Sequence, residues 1–251
     1  MARTCIFCGG EGLTREHVVP KWVSNLVRPH GPYGGGFTMR TVHVGLREWE
    51  QQTHFIELVA RCVCEECNTG WMSALESLAA PVLTPLIEGD AVTLQSRDQE
   101  LVALWAMKTA MVLEETSAAS TERYFTSGER RLFADEGVIP EVTQTWIGKK
   151  EGTNRLTMAM VKYIRLPDES PSSSPGYAPS IFIGQLCIQL ISAAVPIVDS
   201  DVEIEYVATD GWQEHTVQIW PIGEDIDWDA MPAMTDEMAD ALSQRWDKKT
   251  S

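Results

Sequence analysis

The sequence predicts an α+β protein in two parts. Residues 1–90 form a zinc-stapled module, and residues 95–251 form an α+β domain built on an antiparallel sheet. Three observations predict this. Cys5-x-x-Cys8 and Cys64-x-x-Cys67 are two knuckles, far apart in sequence, whose spacing suits one tetrahedral four-thiolate site. Residues 96–115 are apolar around most of a helical circumference, as a buried helix is. Beyond residue 140 the chain carries a succession of strand candidates divided by turn residues.

In chain order, the first knuckle is followed by Gly9, Gly10 and Gly12, which suit a tight turn. Residues 15–19 read as a strand. Pro20 suits the opening of a helix that continues over Lys21–Val27. Residues 29–36 are a Gly/Pro loop. Residues 37–44 and 54–61 read as a hairpin with a polar tip at 47–53, inserted between the knuckles. Residues 71–80 read as a closing helix that Pro81 ends.

Ser96 with Gln99 is a capping-box pattern opening the long apolar helix to Glu115, with Leu101, Leu104, Trp105, Met107, Met111 and Val112 on its surface. Thr126 with Glu129 is a second such pattern, for a short helix to Asp135. Strands are expected at 142–147, 156–165, 181–192, 202–207 and 216–222, with a mobile Pro/Ser-rich loop at 167–180. A last helix begins at Thr235, where Asp236 and Glu237 suit the positive helix end.

Composition narrows the class. The 251 residues are 44% hydrophobic, ordinary for a globular chain. No run of about 18 apolar residues occurs, so no membrane-spanning helix is expected. The start, Met1-Ala2-Arg3-Thr4, lacks an apolar signal core, and a cytoplasmic protein is expected. In a reducing cytosol, paired C-x-x-C knuckles bind metal in preference to forming disulfides. Cys62 lies close enough to Cys64 to compete as a ligand, but Cys64 and Cys67 have the knuckle spacing. Cys187 sits in an apolar strand and reads as core.

The charge is uneven. The net is −16, but residues 1–80 hold 7 Lys/Arg against 8 Asp/Glu, and residues 81–251 hold 13 against 28. The first module is therefore near neutral, with Arg3, Arg15, Lys21, Arg28, Arg40, Arg47 and Arg61 available to phosphate. Residues 199–247 carry 14 Asp/Glu and one Arg. That stretch reads as a solvated face. Alternatively it mimics nucleic acid, restrains the first module in cis, or docks a basic partner, and the acidic domain is a candidate surface for a protein partner or a second copy.

Between the knuckles lies Glu16-His17-x-x-Pro20, and Asn68 directly follows the last knuckle cysteine. C-x-x-C, then E-H-x-x-P, then C-x-x-C-N resembles the HNH endonucleases, the ββα-metal group, in their zinc-stapled form. The resemblance covers roughly residues 1–80. It implies a ββα module with Cys5, Cys8, Cys64 and Cys67 on a structural zinc. It implies His17 as general base and Glu16 and Asn68 as ligands of a catalytic Mg²⁺ or Mn²⁺. Glu stands at position 16 where many relatives have Asp.

Arg15 and His54 are candidate phosphate contacts, and Glu76, two helical turns past Asn68, is a candidate to reach the ion or brace His17. His30 and His43 read as ordinary. Trp22 and Trp71 are suited to stacking on bases or, more simply, to packing beneath the module. The implied activity is hydrolysis of DNA phosphodiesters, in bacterial or phage defence or mobile DNA. The rival from another class is a non-catalytic zinc-ribbon binding protein whose acidic domain recognises a partner.

Overall fold

The knuckle residues are gathered by two short antiparallel strands and the helix that follows them. In the computed structural model, which describes residues 4–27, 36–43, 49–54, 58–116, 123–151, 156–162, 176–193 and 214–244, strand β1 (Leu13–His17) pairs with β4 (Val59–Cys64). Helix α1 (Lys21–Val27) lies between them in sequence, where Pro20 leads into it. The chain leaves β4 through one turn, α2 (Glu65–Cys67), and a wide π-type turn at Asn68–Met72, then enters α3 (Ser73–Glu88).

Helix α3 does not stop at Pro81. It runs on through Pro81 and Pro85 to Gly89, whose φ of +83° closes it in the left-handed conformation. Pro81 is on the exposed side, so its missing N–H leaves a carbonyl that water can satisfy. The buried Ala79, Leu83, Leu86 and Ile87 hold the other side.

The strand expected at 54–61 also differs. The residues taken for a polar tip form β3 (Trp49–His54), which pairs antiparallel with β2 (Gly36–His43). A strand at the end of a sheet pairs on one side only, so polar residues do not forbid it. Strand β2 then pairs in parallel with β7 (Leu156–Lys162). The large sheet thus takes strands from both sides of residues 90–95. Its order is β11-β6-β10-β8-β7-β2-β3, with β9 bridging β10 and β7. Here β6 is Thr143–Lys149, β8 Gly176–Tyr177, β9 Ser180–Ile183, β10 Leu186–Ala193 and β11 Thr216–Trp220. Apart from the β2–β7 pair, its ladders are antiparallel.

The single strand expected at 181–192 is two, folded at Gly184-Gln185. Gly184 has φ +56°, and a Cβ there would lie 2.4 Å from the Ile87 carbonyl oxygen. Only glycine permits that approach. Gln185 N–H donates to the same carbonyl at 2.9 Å, so the turn of the sheet satisfies an end carbonyl of α3. The expected loop at 167–180 is strand at its C-terminal part, where Tyr177 is fully buried. Residues 163–175, the loop at 29–35 and the strand expected at 202–207 lie outside the described residues.

Helix α4 (Ser96–Glu114) is the centre of the fold. It packs against α3 and β4 on one side and against β10 and β11 on the other. The reciprocal cap lies one residue earlier than the sequence pattern, using Gln95 and Asp98. The Gln99 side chain is drawn inward instead, donating to Glu224 O at 2.7 Å. A minor two-stranded sheet joins β5 (Thr93–Leu94) to β12 (Ile226–Asp227). Helix α5 (Ser127–Glu136) has the expected Thr126–Glu129 box, and α6 (Asp236–Gln244) follows Thr235, whose hydroxyl accepts from Met238 N–H at 3.2 Å. Beneath α4, Arg130 donates to Glu114 at 2.6 Å with both side chains 1% exposed, and Tyr177 donates to Ala110 O at 3.1 Å. Among the described residues no helix is long and apolar enough to cross a membrane.

Candidate metal centre and adjoining charged cluster

Cys5 and Cys8 are held by a turn closed by backbone bonds: Cys5 N–H to Gly10 O at 2.8 Å and Gly9 N–H to Cys5 O at 2.9 Å. Gly9 takes φ +75°, which lets the turn double back. Ile6 N–H reaches Cys62 O at 2.8 Å and docks the turn on β4. Cys64 is the last residue of that strand, and Cys67 ends the single turn after it. The sulfur atoms of Cys5, Cys8, Cys64 and Cys67 all lie within 4.8 Å of one another. Thiolates at 2.3 Å from a tetrahedral zinc are about 3.8 Å apart, so the four fit that ion without rearrangement of the backbone. Cys62, two residues before Cys64, is buried on β4 and is not one of the four gathered sulfurs; burial pushes its thiol up to about 12.

Thiolate formation is helped at one ligand by the turn itself. Burial acts to raise the Cys5 thiol, but hydrogen bonds from the backbone of Cys8, Cys64 and Phe7 outweigh it and bring it to about 7. Burial raises Cys8 and Cys67. Gly10 N–H donates to Cys8 Sγ at 3.3 Å. Trp71, just past the last ligand, packs edge-on against Phe7 at 5.0 Å and Phe133 of α5 at 5.7 Å. It packs inside the protein and is partly buried, so its ring is engaged by the core.

The pairing of β1 with β4 has a register irregularity between Thr14 and Glu16. Arg15 is exposed, Glu16 is buried and His17 is half-buried. Glu16 therefore points at the core, and what it meets there is Lys108 of α4. Lys108 Nζ lies 3.6 Å from Glu16 Oε1 and 2.6 Å from Glu76 Oε1, with the lysine side chain wholly inaccessible. Burial is the largest influence on Glu16 and raises its carboxyl; Lys108 partly offsets this and Glu76 adds to it. His17 is lowered from the ordinary 6.5, first by burial and then by Lys21 and Arg15, with Glu76 acting in the opposite sense. Near neutral pH His17 is therefore the neutral imidazole that a general base requires.

The structure brings Glu16 and Glu76 together across Lys108, with His17 within the field of Glu76. Asn68 sits towards the knuckle end of β1, where Nδ2 donates to Thr14 Oγ1 at 3.0 Å. The donor end of its amide is thus used. The carboxylates and the Asn68 carbonyl are oxygen donors of the kind a hard divalent ion takes, and Lys108 is the competitor for the carboxylates. The side chain of His54 lies outside the described residues.

Lys108 is the residue that sequence reasoning missed. It is the lone charge between Glu100 and Glu114 in an otherwise apolar helix, and a charge on a fully buried helix requires an opposite partner. That is a signal of burial with a counter-ion, though it does not name the partner.

Comparison with protein-family models, with curated proteins and with solved structures finds no match.

Proposed function

We propose that the chain is a metal-dependent endonuclease of the ββα-metal type, hydrolysing DNA phosphodiesters at His17. The observation that supports this most is the placement of a neutral histidine at the end of β1. It lies within the field of Glu76, on a strand–strand–helix unit clipped by a four-cysteine cluster. His17 takes the proton of the attacking water. Arg15, exposed on the same strand, holds a phosphate oxygen. Glu16, Glu76 and the Asn68 carbonyl would supply oxygen ligands to Mg²⁺ or Mn²⁺, which would stabilise the leaving oxygen as a Lewis acid. A zinc held by Cys5, Cys8, Cys64 and Cys67 would have no open position for substrate and would be structural.

A second reading has an observation of its own. Glu16 is engaged by Lys108 and the Asn68 amide by Thr14, so both have structural employment without any ion. That favours a non-catalytic zinc-ribbon protein whose acidic part recognises a partner. One experiment separates the two. Purified full-length protein is assayed on plasmid DNA with Mg²⁺ or Mn²⁺ beside His17→Ala. The endonuclease reading expects cleavage that His17→Ala abolishes while zinc content and melting temperature stay unchanged. Equal cleavage by the variant, or none by the parent, supports the binding protein.

A further inference from the structure

A divalent ion held by four thiolates carries excess negative charge, and N–H groups aimed at the sulfurs are what offset it in a protein interior. For two of the sulfurs the donors are backbone groups. Cys5 is hydrogen-bonded from the backbone of Cys8, Cys64 and Phe7, and Gly10 N–H donates to Cys8 Sγ at 3.3 Å. At Cys67 the nearby donor is a side chain. Trp71 stands about one helical turn further on, in the wide turn Asn68–Met72. It directly follows Gly70, which leaves helical geometry at φ −89° and ψ −113°. Wide turns of this kind are frequent at functional sites. The indole is clamped edge-on against Phe7 at 5.0 Å and Phe133 at 5.7 Å. Its Nε1–H is buried and makes no full hydrogen bond, a costly state for a donor. The acceptor beside it is the Cys67 sulfur. Burial is the strongest influence on Cys67 and raises its thiol, Cys8 adds to that, and a weak side-chain bond from Trp71 acts in the opposite sense.

We infer that the Trp71 indole N–H is the hydrogen-bond donor to the Cys67 thiolate when the four cysteines hold zinc. Trp71 acts through Cys67 and is a positioning residue of the metal centre. A thiolate is a stronger acceptor than a thiol, so the orphaned donor gains its partner as the ion binds. The bond draws charge from the sulfur and fixes its orientation, as partners of metal ligands do. Because the same ring packs on Phe133, the bond also ties α5 to the metal centre. The inference rests on the reading of the four sulfurs as a metal site. It is independent of whether the protein cleaves DNA. A tryptophan that only fills space would hold Phe7 and Phe133 apart and leave the sulfur electronically untouched.

The first test needs no variant. Full-length parent protein is loaded with an NMR-active cadmium isotope in place of zinc. Hydrogen-bonded N–H protons are then correlated with the metal through the intervening sulfur. The Gly10 backbone N–H is the internal standard, since its bond to Cys8 Sγ is already formed. The Trp71 indole proton, identified by its contacts with the Phe7 and Phe133 rings, is expected to show the same correlation. It is also expected to move downfield on loading. A correlation at Gly10 with none at the indole overturns the inference and leaves the metal site standing. Protein that takes up no cadmium overturns both. The second test compares Trp71→Phe, which keeps a ring but loses the N–H, with Phe133→Leu, which loosens the packing and keeps the N–H. Trp71→Phe is expected to hold zinc about tenfold more weakly against a competing chelator. With cobalt in the site, its sulfur-to-metal charge-transfer band is expected at lower energy than in the parent. Phe133→Leu is expected to melt earlier with that band in place. A band unmoved in Trp71→Phe, or moved equally in both variants, overturns the inference. Should Trp71→Phe fail to fold, the cadmium measurement on the parent decides.

Discussion

Asn68 Nδ2 donates to Thr14 Oγ1 at 3.0 Å, and the Thr14 hydroxyl in turn donates to Val63 O at 3.1 Å. The residue after the last knuckle cysteine is thereby tied to both strands of the small sheet. A sequence motif that resembles an ion-binding asparagine thus has a measurable structural task beside any chemical one.

That task predicts a coupled pair. Asn68→Ala and Thr14→Val are each expected to cost about 1 kcal/mol, the net worth of a partly buried hydrogen bond. The double variant should cost less than the sum, since both remove the Asn68–Thr14 bond, while Thr14→Val also removes the bond to Val63 O. Asn68→Asp should be destabilising too, because a carboxylate opposes an oxygen that already donates to Val63. Urea unfolding of the four proteins measures the coupling, and additive costs would mean that the contact carries no energy.

Zinc removal should act on the fold before it acts on any surface. The four sulfurs join segments about 55 residues apart, so binding free energy is largely folding energy for the strands they clip. One zinc per chain is expected in reduced protein. Strong chelation, or Cys67→Ser, is expected to lower the melting temperature and release the Trp71 contacts with Phe7 and Phe133. Protein that contains no zinc and melts identically with and without chelator would remove the basis for a metal-clipped module.

Under the proposed endonuclease reading, the pH dependence of cleavage follows from the field at His17. Burial, Lys21 and Arg15 all disfavour the protonated ring, so its pKa lies below the ordinary 6.5. The base remains neutral as pH falls through 6.5, and the acid limb of the rate profile is expected below that value. Lys21→Ala removes one of the charges that oppose protonation and should move the limb upward. A limb at or above 6.5 in the parent, or no response to Lys21→Ala, would show that this histidine does not set the rate.

The sequence by itself determined what depends on neighbours a few residues away. The knuckle spacings, the Thr126–Glu129 box, helix α1 after Pro20, and the α+β class are all written in short-range patterns, because caps, turns and C-x-x-C geometry act within one or two turns of chain. Tertiary structure alone decided the rest. The pairing of β2 with β7 joins residues more than a hundred positions apart, and no local pattern specifies which sheet a hairpin will join. The passage of α3 through Pro81 was decided by the core packed against Ala79 and Leu83, which outweighs one missing hydrogen bond. The role of Lys108 was decided by the rotation of α4, which turns the lone charge of an apolar helix towards two carboxylates carried by β1 and α3. A charge in a low-dielectric interior is fixed by the partners that packing brings to it, and those partners are not adjacent in sequence.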